Sequence, residues 1–559
     1  MRVSFRLIDT TAAEDATPTG DGTNTDISQI AQTHDGVEKL SAKWATLETG
    51  GWPLDGSCEI MPDDLSEVQT GWWSEVSDEN GEFATDPKLT FAFSEDHSSV
   101  GFTVFFDNQH PREMTVTAYD ALDSVIASET VTVTGLIQAV EMPVENYRKV
   151  AISFSGTLKP YQSVRVVEVA FGIVQIYDKA NSTGGTILYE VSPRSETQPT
   201  GELTITIDNT DRKYNMRSPN SLYAYLQQGQ PLDAEVGIDG EYIPMGRFYF
   251  AKSEAKDASM TAQITAYDWF YRLDKGLYRC GTNDTDTVEN LVNKVINDSG
   301  LDITVRIPAN IGSRVIGACI PIVSHREAIR LIAQAARCVA FINRDDELEL
   351  AELAVGTPVD TLDGNNMRDY PEVSVDDRVN TVDVAVYALY QQSPDDETLY
   401  EGIVVVRGTQ DVWIAYSEPG QSAAASVSGG TLNNAAYYLY GAKLNITAAG
   451  EVTITVIGKA LRSSESICTL SDTEPNEIPQ PLQIRNPLIT TTEMAESVAA
   501  WVLSISRLVY PVTWRGNPAL ELMDTVTIED AYGTDENAVI VKQQFSFDGT
   551  LSCETKAVG

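Results

Sequence analysis

Short runs in which apolar and polar residues alternate, punctuated by glycine and proline about every ten residues, occupy most of this 559-residue chain. An alternation of period two puts one face of a segment on a core and the other in water, so strands are the base state and helices the exceptions. The pattern is strongest at 88–93, 101–107, 114–119, 149–154 and 163–169. A chain of this length exceeds what one core sustains, and roughly three to five domains are expected. The 42% of hydrophobic residues is enough to fill them.

The alternation divides the chain into six stretches. Residues 1–43 read as a short N-terminal strand followed by a Thr-, Asp- and Gly-rich extended arm. Residues 44–178 carry six or more amphipathic strands and read as a jelly-roll-like β-sandwich. Residues 179–282 hold several short strands of a small barrel or split barrel. In 283–370 the period changes: Val288, Leu291, Val292, Val295 and Ile296 share one helical face. Ser324-His325-Arg326-Glu327 then has capping-box spacing before a second apolar helix, and a hairpin completes a small α+β unit. Residues 371–480 return to strands as a β-rich domain or insertion, with an Ala- and Ser-rich loop expected at 422–430. Residues 481–559 carry one helix, opened by Thr490-Thr491-Thr492-Glu493, and closing strands. The fold class is mainly β and multidomain.

Charge limits the function classes. With 39 basic and 81 acidic residues the net charge is -42, and no basic block offsets it. Such a surface repels phosphate backbones, so specific nucleic-acid binding is not expected, although a wall past which DNA slides would suit it. Solubility of a large assembled protein is the simpler account of the same charge. The six cysteines are scattered and include no CxxC, so no disulfide framework is indicated. No leader-like run follows the N-terminus, and no stretch reaches the roughly 20 apolar residues of a membrane span.

Catalytic constellations are missing from the sequence. The four histidines, 34, 97, 110 and 325, lie more than ten residues apart, and neither HExxH nor a Cys/His zinc spacing occurs. No GxGxxG, Walker A or GxSxG motif occurs. No catalytic residue, metal ligand or cofactor is assigned, and an enzyme is not expected. A glycosidase-like carboxylate pair could hide among so many acids. Asn283-Asp284-Thr285-Asp286 and Asp376-Asp377 could hold Ca²⁺ but are more simply turns and a helix cap. Trp44, Trp52, Trp72 and Trp73 cluster in turn-rich sequence. Trp52, Trp72 and Trp73 are the candidates for contact with a glycan or protein partner; the competing reading is that such rings plug the ends of the sandwich.

Three stretches carry a resemblance. The first is Gly201-Glu202-Leu203-Thr204-Ile205-Thr206-Ile207-Asp208-Asn209-Thr210-Asp211-Arg212-Lys213-Tyr214-Asn215, continued by Gly229-Gln230-Pro231-Leu232. The second is Ile243-Pro244-Met245-Gly246-Arg247-Phe248-Tyr249 with Ala262-Gln263-Ile264-Thr265-Ala266-Tyr267-Asp268. The third runs from Trp514-Arg515-Gly516-Asn517-Pro518 to Asp524, followed by Phe545-Ser546-Phe547-Asp548-Gly549. Together they resemble the tail hub and tail-tip proteins of Firmicutes-type phages and prophages, and 44–178 more weakly resembles a carbohydrate-binding or discoidin-type module. The chain departs from the pattern in having Met523 where a glycine usually stands. The resemblance implies hub-type β-barrel domains and a homotrimer whose two β units per subunit build a pseudo-sixfold ring at the distal end of a virion tail, assembled in the host cytoplasm. It also implies partners: the tail tube or distal tail protein, the tape measure protein, tip or fibre proteins, and a host surface glycan as a further candidate. Asp208, Asn209, Asp211, Asn215, Gly229, Gln230, Arg515, Gly516, Asn517, Pro518 and Asp524 then read as turn and strand formers of the hub motif. Two alternatives of other classes stand beside it: a cell-wall glycan hydrolase of a tail tip, and a free-standing carbohydrate-binding surface protein.

Overall fold

The computed structural model describes residues 1–34, 70–107, 109–218, 221–238, 241–256, 258–371, 373–375, 379–472, 478, 480–506, 508–532 and 535–559. Trp44, Trp52, Cys58 and the Asp376-Asp377 pair lie outside them.

The largest assembly is a 13-stranded sheet that draws on both ends of the chain. Ser182–Glu190 is its hinge strand, pairing antiparallel with Glu202–Asp208 on one side and with Glu536–Phe547 on the other. On the first side the order continues through Thr261–Tyr267, Glu241–Ala255 and Pro231–Ile238 to Arg2–Ile8 and Gly172–Tyr177. On the second it continues through Leu551–Val558 and Leu508–Trp514 to Ser374–Val375. Gly184 and Gly185 let both neighbours approach: a Cβ on either would fall 2.8 Å from a backbone oxygen, of Phe547 and Thr204 respectively.

This arrangement corrects the expected fold class. Among the described residues no sheet closes into a barrel: the path of the 13-stranded sheet runs from Gly172–Tyr177 to Ser374–Val375, and a branch through Thr525–Ile528 ends at Asp360–Leu362. Arg2–Ile8 stands where closure of the first unit would occur, pairing with Pro231–Ile238 and passing the ladder on to Gly172–Tyr177. The expected jelly-roll-like sandwich is likewise a single hydrogen-bonded network of seven strands, including Arg165–Ala170, Lys88–Phe106, Ile137–Thr157, Pro111–Tyr119 and Val125–Thr132. Its 19-residue strand Lys88–Phe106 breaks register between Ala92 and Gly101, which bends the sheet around a core of Leu89, Phe91, Phe102, Val116, Ile152 and Phe154. Residues 17–21 do not form a free arm: Thr17–Asp21 pairs with Lys88–Phe106.

Two amphipathic helices follow the first half of the large sheet. Val288–Ser299 is capped by Thr287, which accepts from Asn290 N at 3.3 Å, and ends at Gly300 with φ +67°. His325–Ala336 is capped by Ser324, which accepts from Glu327 N at 3.2 Å, as the capping-box spacing predicts. Their apolar faces share a core with Val382, Val384, Leu488 and the helix Thr492–Ser504. A long ribbon leaves this core. Glu397–Ala415 pairs along the 31-residue strand Gly441–Ser471, whose other edge takes Gly420–Ser428 and Thr431–Tyr437. The loop expected at 422–430 is therefore mostly strand, since an unpaired ladder beside small alternating side chains captures the segment.

Phe5 makes the role of the N-terminal strand measurable. Its ring is fully buried and stacks on Phe250 at a centroid distance of 5.4 Å. Phe5→Ala should cost about 3–5 kcal/mol in urea-unfolding free energy. A loss under about 1 kcal/mol would show that the strand is peripheral to the sheet.

Candidate functional site

The residues of the motif stretches gather on the large sheet and its turns, where their side chains and backbone hold those turns closed. Asn209, fully buried, donates from Nδ2 to Asn215 Oδ1 at 2.7 Å and accepts from Tyr214 N at 3.1 Å, which closes the turn after Glu202–Asp208. Asp208 and Asp211 accept from Thr210 N and Lys213 N at 3.0 and 3.1 Å in the exposed part of that turn. Gly229 has φ +92°, a backbone region that favours glycine. Gln230, buried, donates to the carbonyls of Ile8 and Tyr225 at 2.9 and 2.8 Å and so ties the N-terminal strand to the loop before Pro231–Ile238.

The second motif group lies at the far end of the sheet. Arg515 donates its backbone N–H to Asn366 O at 3.0 Å, and Gly516 takes φ +83°. Asn517 donates to Asp360 Oδ2 at 2.8 Å, and Asp524 accepts from Glu521 N at 2.8 Å. The Pro518 carbonyl accepts from the Arg344 guanidinium, which also donates to Leu520 O at 2.6 Å. Met523 sits at φ +71°, a backbone region that favours glycine.

Of the aromatic candidates, Trp52 lies outside the described residues, and Trp72 and Trp73 are interior at 0% and 2% exposure. Trp72 Nε1 donates to Thr23 Oγ1 at 2.8 Å, and Trp73 Nε1 donates to Thr70 O at 2.8 Å. Arg165 covers the Trp73 ring at 3.8 Å. Neither ring offers a face to a sugar or a partner.

Sequence reasoning missed the seam between the large sheet and the helical unit. Arg326 and Arg330 reach back to the carbonyls of Gln198 and Ser195 at 2.9 and 3.0 Å, and Gln198 donates to Ala340 O at 2.8 Å. Asp268 accepts from Gly201 N at 2.5 Å and Phe270 N at 2.9 Å, and Tyr249 donates to Asp346 Oδ2 at 2.7 Å. Burial, opposed by those backbone donors, pushes the Asp268 carboxyl up to about 7. Burial, opposed by the Tyr249 hydroxyl and the Arg247 charge, pushes Asp346 up to about 6. Asp268 was legible only as the end of a strand motif, because the Gly201 N–H that it accepts from lies far from it in sequence.

Among the described residues, no group of three or more His, Cys, Asp or Glu side chains is arranged to hold a metal ion. No described helix is long and apolar enough to cross a membrane. No family model and no curated protein matches the chain. Solved structures do show likeness. A tail protein from Neisseria meningitidis MC58 matches at 12% identity and a TM-score of 0.42, covering 69% of this chain and 94% of its own. The 43 kDa tail protein of prophage MuSo2 from Shewanella oneidensis matches at 16% identity and 0.39, covering 69% and 95%. A family 32 CBM from C. perfringens NanJ, solved with galactose, matches 32% of this chain and 100% of its own at 10% identity and 0.19. Identities and TM-scores of this size specify no activity, ligand or partner for this chain.

The seam carboxyls generate a pH signature. Both groups hold a proton more readily in the folded chain than in the unfolded one, where the ordinary value is 3.8. Their contribution is complete below pH 3.8 and is lost as pH rises through about 6 for Asp346 and about 7 for Asp268. Asp346→Asn stays neutral at every pH. Wild type should therefore lose unfolding free energy relative to the variant as pH rises from 3.8 through about 6. Urea titrations at stepped pH check this, and a constant difference would contradict the assignment.

Proposed function

We propose that this chain is a structural component of a phage-type tail, of the hub or tip kind. Three copies surround the tail axis and join the tail tube to the distal tip or baseplate. The observation that carries the reading is the shared sheet. The motif stretches at 201–268 and 512–551 are separated by the 243 residues 269–511, yet they flank one strand, Ser182–Glu190. Each copy thereby holds two β units in a fixed relation, and three copies present six positions to a hexameric partner. The charge of -42 supports the same reading, because an acidic lumen lets DNA pass without adhering. Partners in this arrangement are the tube or distal tail protein, the tape measure protein, and tip or fibre proteins, with the chain at the distal end of the virion tail.

Light scattering on the purified chain, with negative-stain images of the same sample, tests the proposal. A particle of three times the 61.0 kDa chain mass, seen as a ring, is expected. A monomer at the highest attainable concentration, together with no ring of this protein in purified tails, would overturn it.

A further inference from the structure

Where the large sheet meets the helical unit, a crevice of about 360 Å³ is lined by Gln228, Gly229, Arg272, Lys275, Gly276 and His325, among others. Its position follows from local sequence. Asp268 caps the short helix Trp269–Leu273, which carries Arg272 to the opening, and the chain then turns through Lys275 and Gly276 toward the helix that begins at His325. On the other side stands the Gln228-Gly229 turn of the hub motif, for which the turn-forming role leaves the neighbouring cations unexplained.

Two features set the crevice apart. First, the acids outnumber the bases two to one in this chain, yet neither the Arg272 guanidinium nor the Lys275 ammonium has a side-chain hydrogen bond or ion pair among the described residues. Arg272 is half-buried, over the rings of Trp269 and Tyr249 at 5.0 and 5.3 Å, and Lys275 lies 4.1 Å over the Tyr271 ring. Burial pulls the Arg272 guanidinium below its ordinary range, with Asp346 and Glu14 opposing only through longer-range attraction. Second, a glycine makes room for a polar group: a Cβ on Gly276 would lie 2.8 Å from His325 Cε1. Gly229, at φ +92°, turns the chain beside Arg272. The nearby Asp298 is engaged with His325 Nε2 at 3.0 Å and does not neutralise the pair.

We propose that this crevice binds an oxyanion group, phosphate or carboxylate, with Arg272 as the forked donor and Lys275 as the point charge. A guanidinium that meets only ring faces among its neighbours has N–H groups left for two parallel hydrogen bonds to such a group, and the ammonium adds charge without geometric demand. The size suits a small phosphorylated or carboxylated molecule, and the seam between two units is a common place for such sites. The site belongs to a single chain, so it stands whether or not the tail reading does.

The test is titration calorimetry on the full chain, with inorganic phosphate in one arm and glucuronate, a sugar carboxylate, in the other, at constant ionic strength. Saturable binding of at least one is expected, and the arm that binds identifies the source of the oxyanion. Arg272→Gln and Lys275→Gln should each weaken it about tenfold, the loss expected for one charged hydrogen bond. Arg148→Gln, remote on the seven-stranded sheet, should bind as the wild type does. Lys275 is exposed, so Lys275→Gln carries the test if Arg272→Gln fails to fold. No binding by the wild type in either arm, or undiminished binding by Lys275→Gln, overturns the proposal.

Discussion

The pairing of Ser182–Glu190 with strands from opposite ends of the chain is the constraint on which the rest of the molecule depends. Six consecutive residues of that strand, from Gly185 to Glu190, pair with 542–547, and most of the same residues face 202–205 across the other edge. A strand filled on both edges cannot slip without moving both neighbours, and a one-residue slip would turn Ile187 out of the core. The two β units are thus one rigid body. The helical unit attaches to it through side chains that reach backbone carbonyls.

Arg326, Arg330 and Arg344 direct their guanidinium groups to the carbonyls of Gln198, Ser195 and Leu520 across the seam. Two of these braces also hold an acid, Arg330 that of Glu327 and Arg326 that of Asp274, and the net charge of -42 remains because 81 acids face 39 bases. The raised proton affinity of Asp268 and Asp346 shows what it costs to bring a carboxylate inside.

Much of the local structure was legible in the sequence. The cap at Ser324, the apolar helix faces and most of the strands follow from periods and capping residues read within a dozen positions. Asn209 and Asn215 were legible as turn formers because a turn is closed by its own neighbours. What could not be read was which strand pairs with which. Alternation says that a segment lies at the edge of a core, but it carries no label for a partner several hundred residues away, and so an open sheet was expected to be barrels. The tryptophans failed for a related reason. Turn-rich surroundings imply exposure, whereas Trp72 and Trp73 are covered by Thr23 and Arg165, which come from other segments. The seam crevice was invisible because Arg272 and Lys275, the Gln228-Gly229 turn and His325 are far apart in sequence, and a local period carries no label for which loops meet.

The hinge strand also sets the order in which the molecule can be made. The seven-stranded sheet uses residues up to Arg165–Ala170, and it can form while the remainder of the chain is still on the ribosome. The large sheet cannot: its hinge strand waits, one edge bare, until Glu536–Phe547 emerges some 350 positions later. During synthesis that bare edge is a template for any passing strand, which is the hazard that an unfilled sheet margin presents. A nascent chain interrupted before Glu536–Phe547 would therefore be left adhesive, and the arrival of that strand is the event that shields the hinge strand's second margin.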